Sequence, residues 1–391
     1  MKFIRISRRA AARVNAGHPW IFKSDLIEVG DARGGEVVTV VCGQTLGIAH
    51  YSDSSQIALR ILSQNIEEVG EKFFLNRLQT AFDFRMSTFA LLGEPALDTY
   101  RLIYAEADSL PGLIVDRYGS YLVLQAMNQG MERCTSDIVA GLTGLFKPAG
   151  ILARNDSPVR TREDLPLEKR VLSGTIPDTV EIFVNGFKLR ADLTHGMKTG
   201  IFLDQRENYV AAARHGRGRA LDCFTSTGGF ALHLAKRCER VDALDSSAAA
   251  IETARANAAA NGIANIDFRE TDVFQALAGF AAGHRRFDTI VLDPPAFAKS
   301  RSHKEAAARA YKDLNRRALN LLSPGGILVT CSCSHHVSEA DFLEAVAEAS
   351  IETGRKLRIL ERRTQASDHP ILLTVPETMY LKCLVFQDTG L

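Results

Sequence analysis

Val291-Leu292-Asp293-Pro294-Pro295-Ala296-Phe297 is an apolar run that breaks off into an acid and two prolines, and Leu328-Val329-Thr330-Cys331-Ser332-Cys333-Ser334 repeats the pattern with thiols. Each reads as a fully buried β-strand whose carboxyl end turns polar. In an open α/β sheet that end is where ligands bind. An acid and a thiol placed there point at one shared cleft, the candidate active site.

The chain around these runs alternates strands and helices from about Asp192 onward. Ala220-Cys223, Val241-Leu244, Ile266-Arg269, Thr289-Leu292 and Ile327-Thr330 read as strands, with helical runs near 229–237, 247–261, 303–322 and 338–350. Ser246-Ser247 offers a helix cap and Asn261-Gly262 a stop. Repeating βα units of this kind predict a mostly parallel sheet covered on both faces.

Upstream the texture differs. Lys2–Ile6, Glu36–Val41, Thr45–Tyr51 and Ile57–Leu62 read as short strands punctuated by Gly34-Gly35 and Cys42-Gly43, a small β-barrel-like module. A helix follows from Glu71 to about Leu92, with Phe73, Phe74, Leu78, Phe82 and Met86 near one face, and looks like a connector. A hairpin around Asp116–Gly119, a helix from about 132 to 146 and a second hairpin at Asn185-Gly186 complete a mixed central region.

With 46% hydrophobic and 24% charged residues the composition is that of an ordinary globular protein. A net charge of +1 means that any nucleic-acid binding rests on local clusters. Lys2, Arg5, Arg8, Arg9, Arg13 and Lys23 precede the first acid, Asp25, and read as a basic arm. The N-terminus carries no apolar signal core, and no stretch reaches the roughly 18 uninterrupted apolar residues of a membrane helix. Seven cysteines in 391 residues form no disulfide framework, so a reducing cytoplasm is expected.

At the cofactor end, the first strand of the alternating region runs into Asp222-Cys223-Phe224-Thr225-Ser226-Thr227-Gly228-Gly229, where glycines allow close backbone approach to a ligand. Asp222 suits a ligand ammonium. Asp245 followed by Ser246 stands where an acid receives ribose hydroxyls, and Asp272 suits an adenine amine. Acids at three successive strand ends favour a cationic nucleoside, S-adenosylmethionine, over a pyrophosphate. A nicotinamide enzyme would also want G-x-G-x-x-G, and only Gly228-Gly229 is present.

At the catalytic end, Pro294 and Pro295 stiffen the loop that presents Asp293, and Phe297 offers a flat face for an extruded base. Adenine-type amino methyltransferases carry an aromatic where this chain has Ala296, which weakens that chemistry. Cys331 and Cys333 share one face if the strand continues. Methylation of carbon 5 of a pyrimidine needs a thiolate that adds to carbon 6, and this pair supplies one. The competing readings are two buried structural cysteines or a metal site with His335 and His336; the C-x-C-x-H-H spacing fits zinc poorly, and no metal is expected.

These residues resemble, over nearly the whole length, the bacterial large-subunit ribosomal RNA cytosine-5 methyltransferases with an N-terminal PUA domain. Gly17-His18-Pro19-Trp20-Ile21-Phe22, Tyr100-Arg101-Leu102-Ile103, Asp108 to Tyr118 and Lys198-Thr199-Gly200-Ile201-Phe202-Leu203-Asp204-Gln205-Arg206 carry the likeness. The resemblance implies a class I methyltransferase sheet of Rossmann-like α/β type over 191–391, a central α+β domain over 73–190 and a PUA-like RNA-binding domain over 1–72. It implies that Asp222, Phe224 and Gly228 line the methionine part of the cofactor, with Asp245 and Ser246 at the ribose and Asp272 at the adenine. Lys198, Thr199, Phe202, Asp204, Gln205 and Arg206 would lie against that pocket. Asp293 would serve both cofactor and base edge, Cys331 would be the nucleophile, and Pro294, Pro295, Phe297 and Cys333 would meet the base.

Ser226, Tyr209 and His335-His336 depart from the family pattern and leave the target nucleotide open. Arg154, Arg160, Arg162, Arg301, Lys304 and the Arg362-Arg363 pair are candidate phosphate contacts. Guanine methylation of the same RNA and a non-catalytic RNA-binding module are the alternatives.

Overall fold

A computed structural model describes residues 2–94, 97–298 and 301–390, and of Arg301 only the backbone. The chain divides into two compact units. Met1–Phe183, Ala191–Ile201 and Ser367–Thr378 make the first; Val184–Arg190, Phe202–Ala366 and Met379–Leu391 make the second.

The first unit holds two sheets. One has six strands in the order Trp20–Phe22, Ile57–Ser63, Gln44–Tyr51, Val37–Cys42, Phe3–Ile6, Leu26–Glu28. Alternation does the folding: Val38 and Val40 point inward from Val37–Cys42 onto Ile4, Ile6, Ile21 and Leu59. The other sheet runs Glu168–Gly174, Gly150–Asn155, Tyr121–Ala126, Leu113–Tyr118, Thr99–Tyr104. The helix Glu71–Leu91 buries Phe73, Phe74, Leu78 and Phe89 in that sheet's core, so it is part of the core and more than a connector.

The basic N-terminal segment is not an arm. Arg8–Asn15 is a helix capped by Ser7, and Arg9 and Arg13 both close on the buried Asp25, at 2.9 and 2.8 Å. Lys2 pairs with Glu36 at 2.9 Å and Arg5 with Glu28 at 3.4 Å. Short-range neutralisation uses up charge that the sequence displays as a cluster. Arg154 and Arg160 are likewise removed as phosphate contacts. Both are buried, Arg154 on Asp156 and the Leu193 carbonyl, Arg160 on Glu132. Arg162 and Arg362 are exposed and Lys304 part-exposed, Lys304 paired with Asp341 and Arg362 with Glu339.

The second unit contains a seven-stranded sheet: β1 (Arg219–Cys223), β2 (Arg240–Asp245), β3 (Ile266–Glu270), β4 (Phe287–Leu292), β5 (Leu322–Ser332), β6 (Leu357–Arg363) and β7 (Lys382–Asp388). The order is β3-β2-β1-β4-β5-β7-β6, parallel from β3 to β5, with β7 antiparallel to both its neighbours. Helices α1 (Arg206–His215), α2 (Gly229–Ala235), α3 (Ala248–Ala260), α4 (Val273–Ala282), α5 (Lys304–Leu321) and α6 (Glu339–Glu352) accompany it. Leu221, Ile290, Leu292 and Leu328 of the strands pack with Leu314, Leu319, Phe342 and Val346 of α5 and α6. The order reverses between β1 and β4, and the polar strand ends Asp222-Cys223 and Asp293 stand on either side of that switch. Among the described residues no helix is long and apolar enough to cross a membrane.

Candidate active site

The loop from β1 to α2 is tightly wound. Phe224 (φ 65°), Ser226 (φ 49°) and Gly228 (φ 92°) are all left-handed, and two of the three carry side chains that resist this conformation. Four hydrogen bonds hold it. Thr225 N donates to Leu244 O (2.9 Å), Gly228 N to Thr225 O (2.9 Å), Ser226 N to Asp245 Oδ2 (2.9 Å), and Thr225 Oγ1 to Asp222 Oδ2 (2.6 Å).

Asp222 is fully buried, and its Oδ1 has no hydrogen-bond partner. Burial, with Asp293 and Asp245 nearby, pushes its carboxyl up to about 8, against the pull of the Thr225 hydroxyl. A buried carboxyl with an uncommitted oxygen wants a cation.

Asp245 spends both oxygens on backbone, Oδ2 on Ser226 N and Oδ1 on Ser247 N, each at 2.9 Å, so it fixes the wound loop and the start of α3 together. Ser246 between them is exposed. Asp272 is exposed and caps α4 through Gln275 N at 2.9 Å.

At the end of β4, Asp293 Oδ1 accepts from Gln205 Nε2 at 3.0 Å. Gln205 Oε1 accepts from Asn208 Nδ2 at 2.7 Å, and Asn208 Oδ1 from Arg363 Nε at 2.9 Å. Gln205 also neighbours the Cys331 thiol and favours its ionised form. Gln205 thus reaches the predicted acid across 88 residues of chain and stands beside the predicted thiol.

Asp204 is buried and accepts from the Tyr380 hydroxyl; its carbonyl receives Ala366 N at 2.8 Å. Arg206 is fully buried beside Glu207 at 3.4 Å, and Phe202 is half-buried with its carbonyl 3.4 Å from the Tyr209 hydroxyl. Lys198 and Thr199 belong to the first unit. There Lys198 is exposed and left-handed (φ 54°), and Thr199 is buried, donating to Asp116 Oδ2 at 2.5 Å with Tyr118 Oη at 2.8 Å.

The thiols separate. β5 ends at Ser332, so the shared face expected for Cys331 and Cys333 does not form. Cys331, opposite Cys383 in the β5–β7 ladder, has no exposed surface. Burial, Cys383 and Asp293 hold its thiol well above the usual range, against the pull of Gln205. Cys333, past the strand end, is half-buried.

Pro294 is buried and Pro295 exposed. Phe297 leans on Tyr311 (ring centroids 4.7 Å apart, 47° between planes), and Ala298 N and the Tyr311 hydroxyl both reach Ser334 Oγ, at 3.2 and 2.9 Å. Those contacts tie the two quoted segments to each other.

Tyr209, Asn208, Tyr380 and Lys382 were not predicted in the site. Tyr209 is buried against Phe230 (4.7 Å), and burial with Asp293, Asp204, Asp222 and Cys331 around it pushes its hydroxyl upward. Its only sequence signal was its departure from the family's arginine. Lys382 had one: a lysine opening the apolar run Cys383-Leu384-Val385-Phe386.

The donor set fits S-adenosylmethionine. The uncommitted Asp222 oxygen suits its ammonium, and the carboxylates gathered at β1, β2 and β4 suit a cation and would repel a diphosphate.

Comparison with known proteins agrees. Residues 158–387 match the S-adenosylmethionine-dependent methyltransferase family and residues 4–64 the PUA-like domain. A ribosomal RNA large subunit methyltransferase I of Klebsiella pneumoniae is 40% identical over 93% of both chains, and one of Shewanella denitrificans 41% identical over 94% of both. A candidate methyltransferase of Streptococcus mutans has the same fold (TM-score 0.83, 21% identity, 99% of this chain and 100% of that one). On the sheet order, the acid-lined strand ends and these likenesses, the chain belongs to the S-adenosylmethionine-dependent methyltransferases, with a PUA-like domain near its N-terminus.

Proposed function

We propose that this enzyme methylates carbon 5 of a cytosine in large-subunit (23S) ribosomal RNA through a transient cysteine adduct. The observation that carries the reading is the pair of thiols at the carboxyl end of β5 beside Asp293 at the end of β4, strands that pair in parallel with Leu292 opposite Thr330. The names of the 40%-identical relatives support the RNA target, and the PUA-like domain supports RNA binding.

The cofactor, when bound, supplies an electrophilic methyl group on sulfur. Asp222 would hold its ammonium, Phe224 and Gly228 its methionine portion, Asp245 and Ser246 its ribose and Asp272 its adenine, with Phe202, Asp204, Gln205 and Arg206 alongside. Asp293, oriented by Gln205, would hydrogen-bond the base edge, while Pro294, Pro295 and Phe297 would bound the base. A thiolate adds to carbon 6, the ring π pair moves to carbon 5, and carbon 5 takes the methyl group. Loss of the carbon 5 proton and expulsion of the thiolate restore the ring. The resemblance assigns the attack to Cys331. Access favours Cys333, because Cys331 has no exposed surface. A reducing cytoplasm suits seven unbridged thiols.

The test is incubation with labelled cofactor and ribosomal RNA, with the product base mapped by mass spectrometry. One of C331S and C333S should abolish 5-methylcytosine. Guanine methylation, which needs no adduct, requires instead that both variants keep transferring methyl groups and that the label appear on guanine.

A further inference from the structure

Lys382 opens β7 opposite Ser332, the last residue of β5. Only 5% of its surface is exposed. A buried ammonium is costly unless its three donors are met. Two are met, by Ser334 O at 2.8 Å and Tyr380 O at 2.9 Å. Both acceptors are backbone carbonyls, which orient the ammonium without neutralising it. Among the described residues no carboxylate lies within ion-pair distance of it.

The Ser334 contact fixes the ammonium one residue beyond Cys333. Of the charges that face Lys382, Cys333 acts most strongly, ahead of Glu339 and Asp341 at the start of α6. Burial outweighs all three and draws the ammonium down to about 8, so it still carries its charge at neutral pH. His335, stacked on Tyr380 at 5.4 Å, is held below its usual range by burial and by Lys382 itself. Tyr311 of α5 also neighbours Cys333, and its hydroxyl is held high by burial. The charges acting most strongly on Cys331 are the reverse: Cys383 and Asp293, both of which raise its thiol.

We propose that Lys382 is a positioning residue whose ammonium holds Cys333 as a thiolate, which makes Cys333 the attacking sulfur. The placement of the ammonium beside the Cys333–Ser334 turn stands on the Ser334 and Tyr380 contacts; its use in attack rests on the cytosine reading. The Cys333 proton leaves to solvent, and the sulfur–carbon 6 bond forms as the ring π pair moves to carbon 5. Carbon 5 bonds the methyl as the methyl–sulfonium bond breaks and leaves a neutral thioether. The carbon 5 proton passes to solvent, the carbon 5–carbon 6 double bond re-forms, and the sulfur–carbon 6 pair returns to the thiolate.

Iodoacetamide alkylation of the full chain, mapped by peptide mass spectrometry from pH 6 to 9 without RNA or cofactor, tests the ion pair. In the wild type, Cys333 should be labelled quickly at pH 7, with a rate that flattens below pH 8, and Cys331 hardly at all. K382M should slow labelling of Cys333 at pH 7 by about tenfold and restore a rate that climbs through pH 9, whereas K382R should stay near wild type. A K382M profile that superimposes on wild type overturns the proposal. Should K382M fail to fold, the wild-type profile decides alone: a Cys333 rate climbing steadily to pH 9 overturns it equally. Wild-type production of 5-methylcytosine by C333S overturns the assignment of the attacking sulfur. A fast, flat Cys333 profile with methyl groups found on guanine retires the cytosine reading and leaves the ion pair standing.

Discussion

Replacing Asp222 with asparagine tests the cofactor end of the site without changing its shape. In the ligand-free protein this carboxyl is buried, lacks a partner on Oδ1 and is pushed up to about 8. Below that pH it is mostly protonated, so taking up a ligand ammonium requires loss of the proton. Linkage then makes affinity rise with pH, by about 25-fold between pH 6 and 7.5, a window ending before the ligand's own amine deprotonates. In D222N that slope should vanish. The lost charge-assisted contact, about 1.5–3 kcal/mol, should weaken binding at pH 7.5 by roughly 10- to 150-fold. Calorimetric titration with S-adenosylhomocysteine, which keeps the amino-acid end, reads both effects.

Stability supplies the opposite sign. The folded-state value lies above the unfolded one, so the contribution of Asp222 is fully present below about 4 and is lost as pH rises through about 8. Urea unfolding of the ligand-free protein at pH 8 should therefore find D222N more stable than wild type, with the two converging at low pH. A wild-type affinity that is flat with pH, or an asparagine variant that binds as well as wild type, would refute the reasoning.

Gly229→Ala should lower stability by about 1–3 kcal/mol in urea unfolding, less whatever helix propensity returns, because a β-carbon there would lie 2.4 Å from Tyr209 Cζ in a packed core; G229A combined with Y209A should recover much of the loss. Gln205→Ala, which disconnects Asp293, Cys331 and Asn208, should reduce kcat for methyl transfer by at least tenfold and change thermal stability little. Asp108→Asn should cost about 3–5 kcal/mol by denaturant titration, since it strands the fully buried guanidinium of Arg85 that the carboxylate grips with both oxygens.

The five parallel strands of the catalytic sheet, β1 to β5, were legible, the inner ones because a strand buried on both faces is a continuous apolar run with an abrupt polar end; the antiparallel β7, also interior and apolar, was not anticipated. The strand expected at Ala220-Cys223 is a residue short at its start, and the one at Val241-Leu244 a residue short at each end. β6 was not legible for the complementary reason: Leu357-Arg358-Ile359-Leu360-Glu361-Arg362-Arg363 lies at the sheet edge, largely exposed, and its charges read as loop. The N-terminal helix was hidden by its arginines. Their partner, Asp25, lies beyond the helix, and a chain read locally shows the cluster without the acid that closes on it.

In the site, residues that act at a strand end were visible and residues that act across the sheet were not. Asp222 and Asp293 announce themselves by their place in the pattern. Nothing local says that Gln205 reaches Asp293, or that Lys382 reaches the loop after β5. The two thiols show the limit most sharply. Strand periodicity puts Cys331 and Cys333 on one face only while the strand lasts, and the ladder stops at the residue between them.

That interruption has an electrostatic consequence. Asp222, Asp293 and Asp245 gather where β1, β2 and β4 end; burial first, and then Asp293 and Asp245, raise the Asp222 carboxyl, while burial, Cys383 and Asp293 raise the Cys331 thiol. A site so biased attracts a cation and suppresses a thiolate. Cys333 escapes the bias by leaving the strand, and Lys382 then faces it with the opposite charge. On the proposed reading the cleft is polarised, negative toward β1 and positive toward β7, which would let it hold a sulfonium donor and a sulfur nucleophile at one pH. Methyl transfer discharges the sulfonium, so the same carboxylates that favour binding of the donor hold the neutral thioether product less strongly, and turnover relaxes the electrostatics that prepared it.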